Sequence, residues 1–589
     1  MKKRIIAIGM CMMMLAGCGN KTPSKAEIVQ ADIQETVAKG EREAAFEQEE
    51  SLPEMSEAAT EEDSAYSFNV GGSSLHAAKA NSSAASAASG GSSFASAASG
   101  ASSASSAYRG NEFDEYEYNT EEYNEINENG FCDALTQPLS TFAADVDTGS
   151  YSNFRRMVND GYGLYGIPRD AVRVEEMLNY FDYDMDEEYI SDGAFSVQYE
   201  TGTCPWNSDS KLLYMTVEAN RTRSPYEGNN YVFLIDTSGS MDREEKIDLC
   251  IKAFKKFANT LQKDDRVSVV TYAGSSEVLL EGAKGNNEDK IDEAFDEAYK
   301  LCVNYGGGTN GSGGIEAAYK VAESNFIKGG NNRVILASDG DMNLGITSNE
   351  GLVDLITEKK EKGIFLTTLG FGTGNYSDAN MEAIADAGNG NYYYIDCMDE
   401  AKRVLCDKAS QSFITVAKDV KFQVEFNPAC VSEYRLVGYE NRVMAARDFK
   451  DDTKDGGEVG AGAQVTVLYE LKMSDSDAGI DLKYQDKRTL SDAADSDELC
   501  TVSVRYKKPS RDESTEEEYV IKDTGSGRSD NFKFASAVAE AALVITDSDH
   551  KGDANLENAI ERAEDAAGKD ELKKQFPELL EKLLEDAYD

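Results

Sequence analysis

Residues 231–242 read YVFLIDTSGSMD, five apolar residues followed at once by an aspartate, a threonine, two serines and a glycine. A run this continuously apolar predicts a strand buried on both faces, as in a parallel sheet. Small oxygen-bearing residues at its end then have a reason, because open α/β sheets bind ligands at the carboxyl ends of their strands. Working outward, further strand-like runs are RVSVVTYA (266–273), EVLL (277–280), RVILAS (333–338), GIFLTTLGFG (363–372) and NYYYID (391–396). Between them, Ile247, Cys250, Ile251, Phe254, Phe257 and Leu261 mark one helix face. Ile291, Ala294, Phe295, Ala298 and Leu301 mark a second, and Ile315, Ala318, Val321 and Ala322 a third. Strands alternating with amphipathic helices predict an α/β domain over 229–412, a doubly wound, mainly parallel sheet with helices on both faces.

The flanks read differently. RVEEMLNYF (173–181) predicts a short amphipathic helix, and AFSVQYETG (194–202) and KLLYMTVEA (211–219) alternate as strands of a sheet with one wet face. Strand signals return in FQVEF (422–426), EYRLVGY (433–439), AQVTVLYELK (463–472) and CTVSVRYK (500–507). Because β-type sequence lies on both sides, the α/β block is expected to be inserted in a β-rich module built by 139–228 and 413–530. Two separate small sheets are the alternative. Helical patterns occupy 531–589.

The N-terminus predicts an export signal over 1–17: Lys2, Lys3 and Arg4, then an apolar run from Ile5 to Leu15 that is too short to span a membrane. LAGC (15–18) resembles the lipobox of bacterial lipoproteins, which implies a lipidated Cys18, with palmitate among its acyl chains, and a place on the extracytoplasmic face of a cell membrane. Residues 18–138 read as a disordered linker. Of the 26 residues from Ser82 to Ala107, 25 are Ser, Ala or Gly, and an acidic, tyrosine-bearing run follows at 112–129. Net charge is −49, from 59 basic and 108 acidic residues, so a nucleic-acid partner is excluded by repulsion from the phosphate backbone. The only two histidines, His76 and His550, remove most zinc sites, Ser-His-Asp triads and histidine-based acid catalysis. Eight cysteines lie beyond Cys18, with no CxxC among them; Cys250 and Cys302 fall on apolar helix faces, where buried free thiols are expected, and no pairing is assigned.

Asp236 ends the first α/β strand, and Ser238 and Ser240 follow in the loop before its first helix. The loop GGGTNGSGG (306–314) delivers Thr309, and Asp339 ends RVILAS, with Asp341 a competitor two residues on. Five oxygen groups without nitrogen or sulfur suit a hard divalent cation, Mg²⁺ or Mn²⁺. DTSGS, GGGTN and ASDGD resemble the D-x-S-x-S, Thr, Asp pattern of the metal-ion-dependent adhesion site (MIDAS) of von Willebrand factor A domains. The stretches PLSTFAADVDTGSYSNFRRMVNDG (138–161), CPWN (204–207), GYENR (438–442) and GEVGAG (457–462) are similar to a bacterial lipoprotein family with a central A domain, the YfbK type. The resemblance implies that Ser238, Ser240 and Thr309 contact the metal by their hydroxyls, and Asp236 and Asp339 directly or through water. Three neutral hydroxyls and two carboxylates leave a divalent ion one position short, which a partner protein's carboxylate would fill, so adhesion or envelope assembly is the expected role and no enzyme activity is expected.

The other readings are a non-adhesive envelope scaffold with a structural metal, and a hydrolase built on Asp145 and Asp147. DVDTGS (145–150) contains the D-T-G-S string of aspartic proteases, but DTSGS carries an extra residue before its glycine, so the required second aspartate loop fails. No lysine follows GGGTNGSGG at the spacing of a phosphate-binding loop. Turn formation, or polar contacts between flank and A domain, is the expected use of Asp145 and Asp147.

Overall fold

The computed structural model describes residues 121–221, 226–340, 349–374, 376–474, 490–509, 511 and 513–588, all within one unit, Tyr116–Asp589. The expected signal, Cys18, most of the linker and Asp341 lie outside the described residues.

The chain enters through β1 (Cys132–Asp133), β2 (Leu139–Ala143), α1 (Gly149–Asn159), α2 (Val174–Asn179), β3 (Phe195–Cys204) and β4 (Asn207–Ala219). The inserted domain then runs β5 (Asn229–Asp236), α3 (Leu249–Ala258), β6 (Arg266–Tyr272), β7 (Ser276–Lys284), α4 (Glu288–Tyr305) and α5 (Gly311–Ser324). It continues through β8 (Asn331–Ser338), α6 (Asn349–Glu361), β9 (Ile364–Phe371), α7 (Asp378–Ala387), β10 (Tyr392–Ile395), α8 (Met398–Lys402) and α9 (Ala409–Phe413). Its sheet has the order β10-β9-β8-β5-β6-β7, parallel except for the edge strand β7. Alternate side chains of β5 go to opposite faces. Phe233 and Ile235 pack with Phe254 of α3 and Phe295 of α4, while Val232 and Leu234 pack with Ile315 of α5 and Ile356 of α6. Both faces are therefore covered, which is why the strand is apolar from Tyr231 to Ile235.

After the domain come β11 (Thr415–Phe426), β12 (Val431–Val437), β13 (Gly457–Gly460), β14 (Gln464–Met473), β15 (Glu498–Lys507) and β16 (Ser514–Lys522), then α10 (Asp530–Ile545), α11 (Leu556–Ala567) and α12 (Glu571–Tyr588). The flanks share their sheets: one has the order β1-β12-β14-β4-β3, the other β13-β11-β15-β16 with β2 also paired to β11. The inserted domain thus sits in a β module that neither flank makes alone. Met215, Val467, Phe422 and Val502 belong to one core between the two sheets.

The expected wet face is a correction. Leu212 and Tyr214 of β4 and Leu468 of β14 are buried against Phe534 and Val538 of α10, with Phe181 of the N-terminal flank in the same cluster. β4 therefore buries both faces, because a helix more than 300 positions later in the chain lies on its outer side. Ser529 caps that helix by accepting a hydrogen bond from Phe532 N–H at 3.0 Å. Ser529→Ala should cost about 1 kcal/mol in urea unfolding.

Buried charges fasten the insertion to its frame. Arg155 on α1 pairs with Asp396 at 2.5 Å and Glu400 at 3.0 Å. Burial alone would raise Glu400, but Arg403 and Arg155 override it and hold the carboxyl down at about 2. Asp147 accepts from the β10 amide of Tyr392 at 2.8 Å, and Asp145 accepts from Asp147 N–H at 2.8 Å. Arg442 reaches Asp145 at 2.8 Å, Asp147 at 3.4 Å and Asp386 at 2.8 Å. The two aspartates of DVDTGS are thus spent on a turn and on ties between flank and A domain.

Candidate metal centre

The site begins where β5 runs out. Thr237 extends the pairing one residue by donating its N–H to the Tyr272 carbonyl at 2.8 Å, and the chain then turns. Asp236 makes the turn by accepting from the Ser238 amide at 2.9 Å. A short 3₁₀ turn at Gly239–Met241 brings Ser240 back, so the Ser238 and Ser240 hydroxyls lie 3.0 Å apart. One short loop therefore presents three oxygen groups together.

The Thr309 loop is held against this turn by Gly239 N–H donating to the Gly307 carbonyl at 3.3 Å. The approach needs glycine: a Cβ on Gly306 would lie 2.9 Å from the Gly239 Cα. On its far side, Asn310 donates its N–H to Ala273 O at 2.7 Å, and its side chain caps α5 by accepting from Gly313 N–H at 3.2 Å. Thr309 itself is half-buried.

β8 supplies the third loop. Ser338 donates its hydroxyl to the second Asp236 oxygen at 3.0 Å and accepts from Gly340 N–H at 3.0 Å, so it bridges the ends of β5 and β8. Asp339 follows, fully buried like Asp236. Burial, then repulsion from Asp339, raises the Asp236 carboxyl from its ordinary value to about 6. Cys302 of α4 donates its thiol to the Ser238 carbonyl at 3.5 Å. Its thiol is pushed up to about 12 by burial and by Asp242, Asp236 and Asp339, which makes it inert.

The sequence reading missed Lys246. It lies in a π-helical turn, Glu244–Asp248, that enters α3, and its ammonium is 3.1 Å from Asp339 Oδ2, with both side chains buried. The signal was present as a lysine on the buried stripe of Cys250, Phe254 and Phe257. Its stem runs over Gly372, where a Cβ would stand 2.2 Å from Lys246 Cε. Ser338 was also missed; it reads as an ordinary strand residue until its neighbour's carboxylate is placed.

The donors fit a hard cation. All are oxygen, two carboxylates are held apart from bulk water, and one ammonium offsets only part of their charge.

A parallel sheet carrying such loops at its carboxyl edge defines a von Willebrand factor A domain protein, and the family described as von Willebrand factor type A domain matches residues 230–405. The family described as Uncharacterized protein YfbK, C-terminal, matches 411–585, and one described as von Willebrand factor matches 117–214. Uncharacterized protein YfbK of Escherichia coli (strain K12) is 38% identical over 454 residues, covering 76% of this chain and 78% of that protein. The chain belongs to the YfbK family. An uncharacterized Synechocystis protein is 27% identical over 175 residues, 29% of this chain and 39% of its own. Among solved structures, a von Willebrand factor type A protein from Catenulispora acidiphila is similar with 16% identity and a TM-score of 0.38, covering 65% of this chain and 90% of that one.

Proposed function

We propose that the protein binds a partner protein through a divalent cation, Mg²⁺ or Mn²⁺, held by Asp236, Ser238, Ser240, Thr309 and Asp339. We further propose that it does so from a lipid anchor at Cys18 on the extracytoplasmic face of a bacterial cell membrane. A domains generally serve protein interaction. The observation that carries the metal-dependent form is the buried Asp236 carboxyl, raised to about 6 beside Asp339 at the rim where three loops meet. When bound, the ion offers an open coordination position to a carboxylate of the partner. Asp236 and Asp339 supply the charge that holds it. Ser238, Ser240 and Thr309 supply neutral oxygens.

A pull-down from cell-envelope extract with the full chain tests this reading. A partner retained in Mg²⁺ and released by EDTA is the expected result. An EDTA-sensitive melting temperature with no EDTA-sensitive partner would instead make the protein a scaffold with a structural metal. The anchor is tested separately: radiolabelled fatty acid should follow the wild-type chain and be lost in Cys18→Ser.

A further inference from the structure

Asp419, Asp455 and Glu458 place one carboxylate oxygen each within 4.8 Å of one another, away from the β5 loop. The backbone arranges this. Asp419 sits where the β11 register slips against both β13 and β15, and a bulge of this kind re-aims a side chain. Asp455 and Glu458 bracket Gly456 and Gly457, and a Cβ on Gly456 would lie 2.5 Å from the Asp419 carbonyl carbon. The glycine pair therefore lets this loop close over Asp419. GEVGAG, singled out in the sequence, begins here.

Three carboxylates at this spacing repel one another, and two lysines offset part of the charge: Lys507 lies 2.8 Å from Asp419 and Lys360 2.5 Å from Asp455. One negative charge remains. An independent feature points to an ion. Asn389, in the turn between α7 and β10, is only 6% exposed and donates its amide to Glu458, yet its own carbonyl oxygen has no hydrogen-bond partner. A buried acceptor left unmet is costly, and a cation satisfies it as well as a donor would. A cavity of about 240 Å³, lined by Asp455, Glu458, Gly390 and Asn391, gives access.

We propose that Asp419, Asp455, Glu458 and the amide oxygen of Asn389 form a second divalent-cation site, suited to Ca²⁺, that clamps the A domain to its β module. Calcium accepts carboxylate, amide carbonyl and water oxygens in irregular geometry, whereas magnesium demands a near-ideal octahedron. Asn389 belongs to the inserted domain and the three acids to the C-terminal flank, so an ion here ties one to the other.

Calorimetric titration of the full chain with CaCl₂, with melting curves alongside, tests the site on an Asp236→Ala background. One equivalent of Ca²⁺ should bind and raise the melting temperature, and adding Glu458→Gln or Asn389→Ala should weaken that binding about tenfold or more. Should Glu458→Gln not fold, Asn389→Ala alone gives the same reading. An Asp236→Ala chain that takes no Ca²⁺, or one whose Ca²⁺ binding ignores both added substitutions, overturns the proposal and leaves a lysine-neutralised cluster. The outcome is separable from the A-domain reading, which fails if Asp236→Ala leaves Mn²⁺ binding at its own rim unchanged.

Discussion

Asp236→Ala should weaken Mn²⁺ binding by at least about 100-fold in titration calorimetry while the far-ultraviolet spectrum stays that of a folded chain. Groups that merely orient a metal's ligands are worth about 10–100-fold, so a carboxylate facing the ion sets the upper end as its floor. The pH dependence sharpens the test. With the carboxyl at about 6, proton and metal compete for Asp236, so wild-type affinity should fall about tenfold per unit below about pH 6. Stability of the metal-free domain moves the opposite way. A carboxyl raised in the folded state stabilises it below the unfolded value of 3.8 and loses that contribution as pH rises through about 6. The loss amounts to about 3 kcal/mol relative to Asp236→Asn, which keeps an acceptor for the Ser238 amide but has no proton to release. Unchanged Mn²⁺ binding in Asp236→Ala would remove the site from the protein.

The residues that sequence made legible share a physical trait: their surroundings are local or periodic. β5, β8 and β9 announce themselves because a strand covered on both sides carries a continuous apolar run, YVFLI, VILA and IFL here. Asp236, Ser238 and Ser240 are legible because one turn brings them together, and Asp339 because it ends the adjacent strand. What stayed hidden depends on distant chain. β4 alternates like a half-wet strand, and only α10 decides that its outer face is dry. β13 is four residues with a glycine at each end, and β16 is an acidic edge strand, STEEEYVIK, whose charges guard an unpaired rim instead of marking a core. Lys246 escaped for a related reason. A lysine in a helical segment ordinarily faces water, and its burial follows from an aspartate 93 positions later.

That lysine carries the second large effect. Lys246→Met should cost the metal-free domain about 3–5 kcal/mol in urea unfolding with EDTA, because the Asp339 carboxylate then stays buried without the ammonium beside it. Methionine preserves most of the stem that packs over Gly372, so the loss reports charge more than volume. With saturating Mn²⁺ most of the deficit should disappear, and Mn²⁺ affinity should rise on the order of tenfold, since a cation no longer contends with a tethered ammonium for Asp339. An equal deficit with and without Mn²⁺ would make Lys246 a structural ion-pair partner that shares nothing with the metal. A deficit confined to EDTA would show that the wild-type fold keeps its own positive charge at the rim, which is how two buried carboxylates persist in the domain before any ion arrives.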